Sequence, residues 1–154
     1  MYYQENRICS FCVNDYHLAV MLVPYIYEAV NERKKVITFF EKDLTDISTK
    51  VITTNKKFWN RMDIWENINW EKVQFNRLSQ KLENVKEEDV LIVAGKEDFI
   101  ERLNRLFINF HINFTIVNCF YISDIAKNEN FKISDYTKIL NTKGLEEIQK
   151  CDFV

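Results

Sequence analysis

Glycine and proline are nearly missing from this chain, whose 154 residues include two glycines and one proline. Loops that cradle a phosphate group through bare backbone depend on glycine, so the chain has almost no material for them. The same scarcity predicts long, continuous helices and strands. The net charge of -2 at pH 7 leaves no excess of positive charge to neutralise phosphates, which argues against direct nucleic-acid binding.

A long apolar run is also lacking. The longest nearly uninterrupted run, residues 18–27, is about half of what a helix needs to cross a bilayer. The first residues show no positive region followed by an apolar stretch, as a secretory leader would. We therefore expect a cytoplasmic protein with reduced cysteines and no membrane partner.

The length and composition are those of one globular domain covering residues 1–154. A chain of this size buries roughly two thirds of the surface that its unfolded form exposes. Apolar residues make up 47% and charged residues 29%, as in ordinary folded proteins. We find no internal repeat, linker or low-complexity tract.

Strand and helix patterns alternate along the chain. The predicted strands cover residues 8–13, 35–40, 61–65, 90–94 and 114–121. The predicted helices cover residues 14–33, which contain Pro24, then 43–57, 71–84 and 96–111. A last helix, capped by Ser134 or Asp135, is expected to end before Gly144. This alternation predicts a three-layer α/β fold, with a mainly parallel sheet flanked by helices.

Cys9 and Cys12 form a Cys-x-x-Cys motif beside a strand-helix-strand unit, which can be a redox pair. Both lie within a predicted strand, where residues three apart point to opposite faces, and neither starts a helix. We therefore favour buried structural cysteines and keep a thiol redox enzyme or redox sensor as an alternative. Together with His17 they lack the second paired motif of a zinc site, so no metal is predicted.

No catalytic motif is present. Residues 93–97 resemble the close of a phosphate loop only superficially, because the upstream glycine and the Ser or Thr after Lys96 are both missing. Nucleophile elbows, zinc-protease helices and dinucleotide fingerprints do not occur either. We therefore expect a protein that is not an enzyme and predict no cofactor.

Open parallel sheets bind ligands beyond the carboxyl ends of their strands. Polar residues and one glycine follow the predicted strands there: Asn14, Asp15, His17, Glu41, Gly95, Lys96, Tyr121 and Asp124. The pattern predicts that they line one polar mouth that binds a small ligand. The same residue types also suit ordinary helix caps and turns, and that alternative stays open.

A strand that reads RICSFC at residues 7–12 precedes a polar turn at residues 14–15 and a helix with LVPY at residues 22–25. This order resembles the opening of the MEDS domain, the methanogen/methylotroph, dichloromethane-regulator sensory domain. Cys12 stands where the family usually has an aromatic residue. Residues 31–34 lack the usual glycine of the turn.

The second half of the chain is similar to the family in plan, with NWEKV at residues 69–73 and a late strand that carries Cys119. The resemblance implies a core like that of RecA and KaiC without a working phosphate loop (Walker A). It also implies a sensory module. Members are often fused to histidine kinases or DNA-binding domains, so the implied partner is a signalling protein such as a kinase or a transcription regulator.

The leading hypothesis is thus a non-enzymatic sensory or signal-transduction module that binds a small ligand or a signalling protein. The first alternative is the thiol redox protein that uses Cys9 and Cys12. The second is a degenerate RecA-like protein that forms homo-oligomers or binds other proteins through aromatic residues of the stretch 59–70.

Overall fold

The computed structural model describes residues 6–110, 112–128 and 131–148. His111, the predicted end of a helix, and Cys151 lie outside them. The strands are β1 (Asn6–Cys12), β2 (Val36–Phe40), β3 (Val90–Gly95), β4 (Thr115–Tyr121), β5 (Lys138–Asn141) and β6 (Gly144–Glu147). The helices are α1 (Asp15–Asn31), α2 (Thr45–Thr53), α3 (Lys56–Trp59), α4 (Met62–Trp65), α5 (Leu78–Glu83), α6 (Glu97–Phe107) and α7 (Ile122–Ile125). Short 3-10 turns lie at Phe75–Arg77 and Ile133–Asp135.

The six strands form one sheet in the order β2-β3-β4-β1-β5-β6. Every neighbouring pair is parallel except β5 and β6, which are antiparallel. β2 and β3 are buried along their whole length, as expected for strands covered on both faces. The predicted α/β fold with a mainly parallel sheet is confirmed.

Helices cover both faces of the sheet. One apolar cluster joins α1, α2, α3 and α4 to one face of the sheet, which we call the α1 face. A second cluster joins α5, α6 and the partly buried Ile125 of α7 to the other face, the α6 face. The helix that follows β1 therefore lies on one face of the sheet and the helix that follows β4 lies on the other, although these two strands are neighbours. Their carboxyl ends mark the point where the connections diverge.

The strand predicted over residues 61–65 is wrong, because Met62–Trp65 forms the short helix α4. Ile64 and Trp65 are consecutive, yet both are buried in the cluster on the α1 face. A strand would point them to opposite faces, whereas a helical turn can bury both on one side. The aromatic content of the stretch resembles that of a strand, but its burial pattern does not.

The helix expected to end before Gly144 is also wrong, since this region forms the strands β5 and β6. Ile139 packs in the cluster on the α6 face and Leu140 in the cluster on the α1 face. This alternation requires a strand. The helix predicted over residues 71–84 is shorter than expected, with α5 covering only Leu78–Glu83.

The outer edge of β2 is covered by the segment 69–73. The amide N–H of Val73 donates to the carbonyl of Phe40 at 2.9 Å, and that of Leu44 donates to the carbonyl of Trp70 at 2.8 Å. The Thr38 hydroxyl also donates to the carbonyl of Asn69. The segment thus blocks an edge that could otherwise pair with another chain, and it fixes the position of Trp70.

No helix among the described residues is long and apolar enough to cross a membrane.

Candidate functional site

The structure places all eight residues of the predicted mouth at the carboxyl ends of β1 to β4. The strand ends are level, because Cys12 pairs with Tyr121 and Gly95 pairs with Phe120 in the parallel register. The predicted residues form two groups, one beside α1 and one beside the start of α6. Their binding role remains a prediction.

Asp15 is the centre of the first group. Its carboxylate accepts a hydrogen bond from the Tyr121 hydroxyl at 2.6 Å and lies 3.1 Å from the Lys42 ammonium. The Lys42 ammonium also sits 5.0 Å from the centre of the Tyr121 ring. Burial, then the hydrogen bond to Asp15, raise the pKa of Tyr121. This group ties the end of β4 to the start of α1.

Asn14 and His17 organise the turn before α1. The Asn14 side chain caps the helix by accepting a hydrogen bond from the His17 amide at 2.8 Å. The imidazole Nδ1 of His17 in turn accepts from the Val13 amide at 2.9 Å. Both side chains therefore act as local caps, the alternative that the sequence left open.

The second group surrounds the start of α6. The Glu41 carboxylate accepts from the Lys96 amide at 2.7 Å, and the Asp124 carboxylate accepts from the Glu97 amide at 2.7 Å. Carboxylates at a helix N-terminus satisfy free amides and complement the helix dipole. The acidic side chains of this group thus bind the protein's own backbone.

Cys9 and Cys12 are both fully buried, on opposite faces of the sheet. Cys9 packs in the cluster on the α6 face and Cys12 in the cluster on the α1 face. Burial raises the pKa of the Cys12 thiol to about 12, and the nearby Asp15 carboxylate adds to the rise. A reactive thiol needs the opposite shift, so this geometry gives the redox alternative no support.

The sequence reasoning missed a cavity of about 540 Å³ on the α1 side of the covered β2 edge. We call it the tryptophan cavity, because all three tryptophans of the chain, Trp59, Trp65 and Trp70, line it. The other lining residues are Thr45, Thr49, Ile52, Thr53, Met62, Glu66, Asn67, Ile68, Asn69 and Glu71. Its volume lies within the range of small-molecule sites.

The walls of the tryptophan cavity come from α2, α4 and the segment that covers β2. Trp70 stacks on Phe40 of β2 with ring centres 5.7 Å apart and lies 6.4 Å from the Trp65 ring. The Trp65 indole N–H donates to the carbonyl of Phe58 at 2.8 Å. Trp59 and Met62 are 44% and 53% exposed. The cavity thus has an aromatic floor and an open rim.

Trp70 carries an unused hydrogen-bond donor. Its side chain is 6% exposed, and its indole N–H finds no acceptor among the described residues. A buried donor without a partner costs about 1–3 kcal/mol, so folded proteins rarely leave one. An acceptor that reached this N–H would remove the cost.

One signal in the sequence pointed to this site, namely the crowding of all three tryptophans into residues 59–70. The cavity forms only because this stretch folds into short helices and then pairs with β2.

No family model, curated protein or solved structure matches this chain.

Proposed function

We propose that this chain is a non-enzymatic sensory module of the MEDS type, which binds a small organic ligand in the tryptophan cavity. The observation that carries the proposal is a cavity of ligand size with all three tryptophans in its wall, one of which, Trp70, has a buried indole N–H without an acceptor among the described residues. Large apolar pockets with a few oriented polar groups are the usual form of a ligand site.

The sensory role is supported by the resemblance at residues 7–12, 14–15 and 22–25 and by the lack of catalytic motifs in the sequence. A cytoplasmic location is supported by the free, buried thiols of Cys12 and Cys119. The output partner would be a signalling protein such as a kinase or transcription regulator.

Ligand binding would reach the rest of the fold through the segment 69–73. At one end of this segment the Val73 amide donates to the carbonyl of Phe40 in β2, and within the segment the Trp70 carbonyl accepts from the Leu44 amide just beyond β2. A ligand that accepts a hydrogen bond from Trp70 stabilises the pairing of the segment with β2, because only the folded cavity offers that bond. The signal is then a change in how firmly the β2 edge is covered.

The test uses protein labelled with 5-fluorotryptophan, in which the three ¹⁹F resonances all report on the cavity. Fragments that are cationic, neutral or anionic are added at up to about 5 mM, which detects dissociation constants near 1 mM, or about -4 kcal/mol of binding. Binding shifts the tryptophan resonances and weakens about three- to tenfold in Trp70→Phe, which keeps the ring but loses the donor.

The matched control is 3-fluorotyrosine protein, because none of the described tyrosines, Tyr16, Tyr25, Tyr27, Tyr121 and Tyr136, lines the cavity. A fragment that shifts tyrosine and tryptophan resonances alike binds without preference for the site. If no fragment of any class shifts the tryptophan resonances, the proposed function is wrong.

A second candidate function is protein binding or self-association through the cavity rim. It is favoured by the exposure of Trp59 and Met62, which both line the cavity, since aromatic residues and methionine are enriched in interfaces. Light scattering tests self-association. Self-association is supported if the molar mass rises with protein concentration and this rise is lost in Trp59→Ser/Met62→Ser. A protein that stays monomeric at all concentrations contradicts self-association.

A further inference from the structure

Four cavities in the described part of the chain differ in the charges of their walls. Three of them include lysine or arginine in the wall: Lys34 and Lys143 in one, Lys72, Arg77 and Lys81 in another, and Arg7 and Lys132 in the last. Among the described residues, no lysine, arginine or histidine lies in the wall of the tryptophan cavity, and this wall includes the acidic residues Glu66 and Glu71. It is therefore an acidic site.

Both carboxylates are exposed, and neither forms an ion pair with another described residue. A bound cation would not have to displace a lysine or arginine from them. Carboxylates lining a site attract positive ligands and repel anions, and low-dielectric aromatic walls strengthen both effects.

The indole rings are also free of protein cations. Some described lysines and arginines lie over aromatic rings, and each of these rings belongs to phenylalanine or tyrosine, as with Lys42 over Tyr121. None lies over Trp59, Trp65 or Trp70. Tryptophan is the strongest partner for a cation over its face, and such rings are a known means of holding quaternary ammonium groups.

We infer that the tryptophan cavity binds an organic cation, an alkylated ammonium group joined to a hydrogen-bond-accepting oxygen. The ammonium contacts the indoles near Glu66 and Glu71, and the oxygen accepts the N–H of Trp70. The inference rests on the proposed function and specifies the class of ligand that this site takes.

The test compares choline with 3,3-dimethylbutan-1-ol, which has the same shape and hydroxyl group but a carbon in place of the charged nitrogen. Binding is followed by the three 5-fluorotryptophan resonances. We expect choline to bind at least about tenfold more tightly than the neutral alcohol. Its affinity should fall as ionic strength rises, because exposed carboxylates contribute to it.

The double variant Glu66→Gln/Glu71→Gln should weaken choline at least about threefold and leave the alcohol unchanged. Its control is Glu83→Gln/Glu87→Gln, which makes the same change in net charge at exposed residues outside the cavity. Thermal unfolding of each variant shows that the fold is retained.

Each outcome separates the class of ligand from the existence of the site. Equal binding of choline and the alcohol, or unchanged choline binding in the Gln variant, overturns the cation inference and leaves the ligand site in place. Preferred binding of an anionic fragment overturns it as well. If no fragment of any charge shifts the tryptophan resonances, the inference and the proposed function fail together.

Discussion

Glu41 occupies the space that a side chain at Gly95 would need. A Cβ atom built on Gly95 would lie 2.7 Å from the Cβ of Glu41 and 2.8 Å from the Phe99 ring. The same Glu41 carboxylate accepts the hydrogen bond of the Lys96 amide. Gly95 is therefore required by a close approach between the ends of β2 and β3, with no phosphate loop involved.

Gly95→Ala should lower the free energy of unfolding by about 1–3 kcal/mol, because the new methyl group crowds Glu41 and Phe99. Urea denaturation followed by circular dichroism measures the change. In the Glu41→Gly background the cost should be smaller, since the nearest crowded atoms are gone. An alanine variant as stable as the parent would contradict the packing argument.

Trp65 and Trp70 form a matched pair for testing whether the indole N–H of Trp70 lacks a hydrogen-bond acceptor. Both are 6% exposed, but among the described residues only the Trp65 N–H finds an acceptor. The two Trp→Phe substitutions remove equal volume, so we expect Trp65→Phe to cost about 1 kcal/mol more stability than Trp70→Phe. Equal losses in chemical denaturation would show that the Trp70 donor is satisfied in solution.

Asn118 is a buried polar residue in the middle of β4. Its amide exchanges hydrogen bonds with Asn104 of α6 at 3.0 and 2.9 Å and donates to the Tyr136 hydroxyl at 3.0 Å. Asn104→Ala should cost about 1–3 kcal/mol, because it leaves Asn118 short of partners. The double variant Asn104→Ala/Asn118→Ala should cost less than the sum of the single variants, and simple additivity in a double-mutant cycle would exclude the coupling.

The buried thiols should be inert at neutral pH. In a Cys151→Ser background, Cys9, Cys12 and Cys119 should not react with a disulfide reagent at pH 8 until the protein is unfolded, because all three are buried. Rapid reaction of two thiols in the native protein would revive the redox alternative.

Cys12 also predicts a loss of stability at high pH. Its folded pKa of about 12 exceeds the ordinary value of 9.0. Below pH 9 both states hold the proton, and between pH 9 and 12 only the unfolded state loses it, so the stability falls there. The stability of Cys12→Ala should fall less steeply with pH over this range. Denaturation at several pH values measures this slope, and a slope equal to that of the parent protein would contradict the raised pKa of Cys12.

The sequence predicted best those helices and strands whose pattern of apolar residues lies within the element itself. β1, β2, β3 and β4 are mostly apolar runs, apart from buried polar residues such as Ser10 and Asn118, because both faces of the sheet are covered. α6 shows its inward face in the spacing of its apolar residues. The strands β5 and β6 were missed, since β5 forms by pairing with β1, about 130 residues away in the chain, as the bond from Ser10 to Leu140 shows.

The candidate sites divide in the same way. The sequence by itself determined which residues follow the strand ends, since strand ends are local. The structure places these residues at the carboxyl edge, and their role in ligand binding stays a prediction. Only the tertiary structure decided that Asp15 accepts from Tyr121, 106 residues away, and that Glu41 accepts from Lys96.

The tryptophan cavity belongs wholly to the tertiary structure. The sequence determined a cluster of aromatic residues, whose spacing fits neither a strand nor one long helix. Their arrangement depends on backbone hydrogen bonds between residues 69–73 and the β2 edge, and such non-local pairings leave no period in the sequence. That pairing positions Trp70 against Phe40 and leaves its N–H without a protein acceptor in the described part of the chain.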